Sequence, residues 1–241
     1  MRGMARAQSL LLIGALLGAV IGALPPGPAR AQDLQWEERM TAATAALKRR
    51  DYVDAETALV QALAIAEDFG ERDPRYARSL HNLGYIYRAE GRYSLAEPLY
   101  LRALAIQETV LGQDHLDVAL TLNNLAGLYR ELGQYDNAEP HYRRSLQIRE
   151  RRLGPTHPDV ADSLNNLAGL LRLEGENSQA EALAQRAIAI LEQSHGADHH
   201  KVATWLYNLS RLYIEQGRFD EAAKFEARAR ALWLNQAAPA R

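Results

Sequence analysis

Ser79-Leu-His-Asn-Leu-Gly-Tyr-Ile-Tyr-Arg88 decides the fold, because it recurs three times. It returns as Thr121-Leu-Asn-Asn-Leu-Ala-Gly-Leu-Tyr-Arg130, as Ser163-Leu-Asn-Asn-Leu-Ala-Gly-Leu-Leu-Arg172 and as Trp205-Leu-Tyr-Asn-Leu-Ser-Arg-Leu-Tyr-Ile214. Asn82, Asn124, Asn166 and Asn208 stand 42 residues apart, as do Gly91, Gly133, Gly175 and Gly217, and Ala96, Ala138, Ala180 and Ala222. A fixed period of this length marks stacked structural units, none of which can bury its apolar face alone. A weaker copy comes first, with Tyr52, Ala55, Glu56, Ala62, Leu63 and Ile65 matching Tyr93, Ala96, Glu97, Ala103, Leu104 and Ile106 at an offset of 41.

Each copy reads as two helices. Leu122, Leu125, Leu128 and Tyr129 form one stripe at three- and four-residue spacing in a helix over 118–131. Gly133 ends it, since glycine accepts the left-handed cap conformation. A second helix runs over 136–153, with Ala138, Tyr142, Leu146 and Ile148 inward. The next copy opens at His157-Pro158-Asp159: proline suits the first helical position, and Asp the positive end of the helix dipole. Asp73 is a good N-cap ahead of Pro74. The first copy's opening helix is expected over 34–49. The whole is all-α, with repeats at about 34–70, 73–112, 115–154, 157–196 and 199–238 inside a domain of residues 32–241.

The first 31 residues read differently. Arg2 and Arg6 precede the apolar run from Leu10 to Leu24, and Ala29-Arg30-Ala31 precedes Gln32. This is the order of a secretory leader, basic then apolar then a small-residue cleavage site. About fifteen apolar residues fall short of the roughly twenty that span a bilayer. The chain is therefore expected to be exported, periplasmic or secreted, with no stable membrane insertion after cleavage; an uncleaved anchor is the alternative. The absence of cysteine suits an oxidising compartment and excludes disulfides and thiolate chemistry. The net charge is −2 and becomes −5 without the leader's three arginines, which argues against nucleic acid as a partner.

The pattern Leu83-Gly84-x-x-Tyr87, Gly91-x-Tyr93, Ala96, Tyr100, Ala103 resembles the tetratricopeptide repeat. The 42-residue length, the strings Asn123-Asn-Leu-Ala126 and Ala96-Glu-Pro98, and His157-Pro-Asp-Val-Ala161 resemble the kinesin light chain variety. The resemblance covers residues 32–241 and implies a right-handed superhelical α-solenoid of about five helix pairs. It also implies a non-enzymatic scaffold that binds a protein or peptide in a concave groove, with no cofactor. Gly84, Ala126, Ala168 and Ser210 are small where helices approach closely. Tyr87, Tyr129 and Tyr213 fill the space between. The fourth copy departs, with Leu171, Asn177 and Ala184 replacing tyrosines, and looser packing is expected there. Glu226 and Arg230 replace apolar residues in the last helix, as suits a solvent-facing cap. Trp233 and Leu234 beside them read either as cap packing or as an association patch.

In this family the side of the first helix turned from the second lines the groove. At 100° per residue, the register gives three groove rows: His81, Asn123, Asn165, Tyr207; then Tyr85, Gly127, Gly169, Arg211; then Arg88, Arg130, Arg172, Ile214. The row Asn82, Asn124, Asn166, Asn208 lies on the shoulder. Carboxamides both donate and accept, so these asparagines either hold a peptide backbone, as the resemblance implies, or tie neighbouring helices together. Arg88, Arg130 and Arg172 form a basic row suited to carboxylates and thus to an acidic ligand, with Glu131 and Glu215 beside it.

Neither a phosphate loop, nor a nucleophile elbow, nor His-Glu-x-x-His is present. His195, His199 and His200 offer an alternative metal-binding reading, although His199 is the periodic counterpart of His115 and His157 at helix starts. A monomer is expected. A self-associating envelope subunit is the structural alternative.

Overall fold

A computed structural model describes residues 28–237. Ten helices follow one another: α1 (Pro28–Lys48), α2 (Tyr52–Glu67), α3 (Pro74–Ala89), α4 (Tyr93–Leu111), α5 (Leu116–Glu131), α6 (Tyr135–Leu153), α7 (Pro158–Leu173), α8 (Asn177–His195), α9 (His200–Glu215) and α10 (Phe219–Ala237). Arg2, Arg6 and the apolar run expected of a leader lie outside the described residues. Helix α1 starts at Pro28, ahead of the 34–49 expected, and includes Ala29-Arg30-Ala31.

The helices pack as five hairpins, α1–α2 to α9–α10, and each second helix then packs on the next first helix. The first helices of successive pairs also touch, α3 on α5 and α5 on α7. That direct contact places them on the inner, concave layer of the stack, as an α-solenoid requires.

Two kinds of glycine punctuate the repeat. Gly133 lies just past α5 at φ +72°, its N–H bonded to the Arg130 carbonyl and the next N–H, from Gln134, to Tyr129 O at 2.9 Å. These are the two bonds of a Schellman cap. Between pairs, Gly112, Gly154 and Gly196 sit near φ +90° and ψ +155°, a region open essentially to glycine alone. The following helices are capped by Asp73 and by His115, His157 and His199, whose Nδ1 atoms accept the N–H two residues on.

The core follows the repeat register: Ala96, Tyr100, Leu122, Leu125, Leu128, Ala138, Tyr142, Leu164 and Leu167 are buried. The apolar side chains form two clusters that meet at α4, where Ala103 joins the N-terminal cluster and Ala96, Tyr100 and Leu104 the C-terminal one. Buried polar residues punctuate this core with the same period. Ser79 accepts from Trp36 Nε1 at 2.9 Å, Thr121 donates to Gln107 at 2.7 Å, and Ser163 accepts from Arg149 at 2.8 Å. One period further the pair becomes apolar, Leu191 and Trp205, both buried.

The inter-pair tyrosines fill space as expected and also make a bond not read from the sequence. Tyr129 Oη donates to Glu97 at 2.9 Å and Tyr213 Oη to Glu181 at 2.7 Å, linking the second helix of one pair to the first helix of the next. Arg218 adds a second clamp on Glu181 at 2.6 Å. Where Leu171 replaces the tyrosine, Glu139 turns to Arg143 of its own helix instead. Among the described residues no helix is long and apolar enough to cross a membrane.

Candidate functional site

The inner layer of α3, α5, α7 and α9 carries every residue expected in the groove, but these residues divide into two sets. Toward the N-terminal end they are bonded to one another. His81 is only 6% exposed; its Nδ1 lies 2.9 Å from Thr121 Oγ1 and its Nε2 3.2 Å from Asn124 Nδ2. The Thr121 hydroxyl donates to Gln107 Oε1, and Arg88 Nη1 donates to Asn124 Oδ1 at 3.3 Å. Arg88 also grips Glu131 with two bonds at 3.1 Å.

The direction of this chain fixes its protonation. Thr121 Oγ1 has spent its hydrogen on Gln107, so His81 Nδ1 must donate, and Nε2 must then accept from Asn124. His81 is thus neutral, and burial pushes its pKa down to about 4. His81 and Asn124 are thus buried and bonded to each other, where register had put His81 on the open groove face. The reason is that α3 and α5 are in direct contact, so polar side chains on their facing edges satisfy each other. Asn124 belongs to the set that ties helices together, and Asn166 does the same by donating to Asn123 Oδ1 at 3.0 Å. Gly127, also placed on the groove floor by register, is buried, because the Arg88 guanidinium lies across it.

Toward the C-terminal end the inner layer opens. Arg88 and Arg172 each reach an acid one pair further on, Glu131 and Glu215, the latter at 2.6 Å. Arg130 has no such partner, because Leu173 occupies the equivalent position. Its nearest carboxylate is Glu131 at 4.0 Å, which Arg88 already holds. Arg211, Asn165 and Asn208 make no side-chain hydrogen bond or ion pair within the described residues. A cavity of about 220 Å³ lies among Arg130, Asn165, Arg172, Asn208 and Arg211. Tyr85 and Tyr207 are exposed on the same layer, and Asn82 is half-buried.

At the last inter-pair loop the rings of His195, His199 and His200 lie in a row, tilted on one another, with centroids 4.8 and 4.3 Å apart. Two nitrogens are already engaged: His199 Nδ1 caps α9 through Lys201 N, and His195 Nδ1 pairs with Ser194 Oγ. Among the described residues no group of three potential ligands is placed to hold a metal.

At the closing end, Glu226 and Arg230 form an exposed ion pair at 2.9 Å on the outer side of α10. Trp233 packs its ring on Tyr207 at 5.7 Å, while Leu234 remains 67% exposed.

Comparison with known proteins agrees with this architecture. The crystal structure of BtubC (BKLC) from P. vanneervenii superposes with a TM-score of 0.76 at 26% identity, covering 89% of this chain and 86% of that one. A Podosopora anserina putative kinesin light chain with nearly identical TPR-like repeats gives 0.70 at 24% identity, over 86% and 96%. A Rap protein complexed with Competence and Sporulation Factor gives 0.69 at 17% identity, over 84% of this chain and 56% of that one. The fold is thus that of an interaction scaffold. The model of the family described as tetratricopeptide repeat matches residues 38–109, 117–193 and 166–235. With ten helices in five pairs among the described residues and a kinesin-light-chain-like repeat, the chain belongs to the tetratricopeptide repeat family.

Proposed function

We propose that this protein binds an acidic peptide segment of a partner protein along the C-terminal half of its inner layer, and that it catalyses no reaction itself. The observation that carries this reading is the coincidence of two cations lacking a firm acidic partner, Arg130 and Arg211, with two unengaged carboxamides, Asn165 and Asn208, around one cavity. Guanidinium groups match carboxylates in geometry and charge. The carboxamides can pair with a peptide backbone whatever its side chains. Export through the leader would place this activity in the periplasm or outside the cell.

The test is fluorescence anisotropy with a labelled, end-blocked peptide rich in glutamate, at low and at physiological salt. Binding weakens with salt, and changing Arg130, Arg172 and Arg211 together to Gln weakens it at least tenfold. Equal affinity in the triple variant overturns the reading. A second reading, self-association of an envelope subunit, draws on the exposed Leu234 beside Trp233. Sizing at micromolar concentration separates the two: a dimer that Leu234→Ser dissolves supports assembly, and a monomer removes it.

A further inference from the structure

One polar chain crosses three helices where the two apolar clusters meet. It runs from Gln107 of α4 through Thr121 of α5, His81 of α3 and Asn124 of α5 to Arg88 of α3, which holds Glu131. Gln107, Thr121, His81 and Asn124 are all buried. Arg88 is the end nearest the groove, with its guanidinium across Gly127. The later junctions do not repeat this chain: the positions of His81 and Gln107 are Asn123 and Arg149 one period on, then Asn165 and Leu191.

Each bond in the chain has a fixed direction, because its members are buried and have few other groups to pair with. Neutral His81 accepts at Nε2 from the Asn124 amide, which turns the Asn124 oxygen to Arg88. A proton on Nε2 makes that nitrogen a donor and sets it against a second donor, Asn124 Nδ2. Half a turn of the carboxamide restores the pair, with Oδ1 toward His81. The same turn presents Nδ2 to Arg88 Nη1, again donor to donor, and the guanidinium loses that partner. Charge acts in the same sense. The ionisable groups around the chain are Arg88 and Tyr85 from α3, Glu131 from α5 and Tyr100 from α4, whose ring meets that of His81 edge-on at 5.5 Å. The one carboxylate among these four is already gripped by Arg88. A charged His81 therefore gains no acid and meets a cation. Tyr100 Oη is buried without a hydrogen bond and lies within electrostatic reach of Arg88, so it offers an acceptor to a displaced donor.

We infer that His81 is a buried proton switch that acts through Asn124 on Arg88: the neutral imidazole keeps the guanidinium latched over Gly127, and the protonated imidazole releases it toward the groove. The two orientations of one carboxamide are the two states between which the proton chooses. Burial holds the proton off His81 until about pH 4, so the latch is closed at neutral pH and opens in acid. Linkage makes the coupling reciprocal: removing the Arg88 charge must raise the affinity of His81 for its proton.

The experiment follows the His81 ring signals and the Arg88 Nε–H signal by NMR in the whole labelled protein, as pH is lowered from about 7 to about 4. His81→Asn and Arg88→Lys assign the two sets of signals. The Arg88 signal is expected to move with the His81 midpoint, while that of Arg172, two periods away, does not follow. Asn124→Ala cuts the relay: His81 still titrates and Arg88 no longer follows. Arg88→Gln is expected to raise the His81 midpoint by about half a pH unit, roughly a threefold gain in proton affinity, and serves as the second test should Asn124→Ala fold poorly. An Arg88 signal that stays still through the His81 transition overturns the switch, as does an unchanged His81 midpoint in Arg88→Gln. Loss of all signals together at the His81 midpoint overturns it too, because the proton then unfolds the chain instead of moving one guanidinium.

Discussion

The guanidinium of Arg88 lies flat against Gly127 of the next helix pair, so close that a β-carbon there would stand 3.1 Å from Cζ. The equivalent contact one period further is looser: the nearest atom to a β-carbon on Gly169 is Arg130 Nη1 at 3.9 Å. Two helical glycines in the same register thus have different reasons to be there. Gly127 makes room for an arginine that bonds Asn124 and Glu131, whereas Gly169 borders open space.

The consequence is a difference in sign. Replacing an interior helical glycine with alanine gains up to about 1 kcal/mol from backbone propensity. At Gly169 that gain should appear in full. At Gly127 it is offset by displacement of Arg88 from its bonds, so Gly127→Ala is expected to be neutral or destabilising, about 1 kcal/mol or more below Gly169→Ala. Urea denaturation of both variants measures it, and equal midpoints would contradict the account.

His81 makes stability fall in mild acid. Its folded pKa is lowered to about 4 against an ordinary 6.5, so the unfolded chain binds the extra proton first. Above pH 6.5 the group has no effect. As pH falls from 6.5 toward 4, stability drops by about 1.4 kcal/mol per unit, roughly 3 kcal/mol in all. His81→Asn, the residue type of the next two repeats, is expected to be less stable at pH 7 but to have a flatter profile through this window. Identical slopes for variant and wild type would disprove the buried neutral assignment.

Tyr129 Oη bonds a carboxylate, and bonds to charged groups contribute more than neutral ones. Tyr129→Phe is expected to cost about 1.5 kcal/mol. Once Glu97 is already Ala, which leaves no acceptor, the same change should cost little, because the two groups act as one unit. A double-mutant cycle by thermal or urea unfolding reads the coupling; additive effects would mean that the bond contributes nothing.

Glycine between pairs should matter more than glycine within them. Gly154, at φ +89° and ψ +156°, occupies backbone space that side chains avoid, whereas Gly133 at φ +72° needs only the left-handed cap region. No atom crowds either position, so the cost of alanine is conformational alone. About 1 kcal/mol is expected for Gly133→Ala and about 1–3 kcal/mol for Gly154→Ala. The reverse order would show that the inter-pair loop relaxes to another conformation.

The sequence by itself determined the repeat, its five helix pairs and its small-residue contacts, because these follow from spacing along a single helix. Period and helical turn together dictate which of Leu122, Leu125 and Leu128 face inward without reference to any neighbour. It also marked Ala184 as a departure with looser packing, since a missing tyrosine is visible as a missing letter. The roles of the inner-layer polar residues were decided only by the tertiary structure. His81, Asn123 and Asn165 share one register row and Asn124 and Asn166 the next, yet His81 and Asn124 are bonded across helices, Asn123 and Asn166 bond each other, and Asn165 stays unengaged. A hydrogen bond depends on how far apart and at what angle two helices from different repeats settle. That is set by side-chain volumes such as Tyr100, Gly127 and Ala184, and becomes fixed only when all the pairs are stacked.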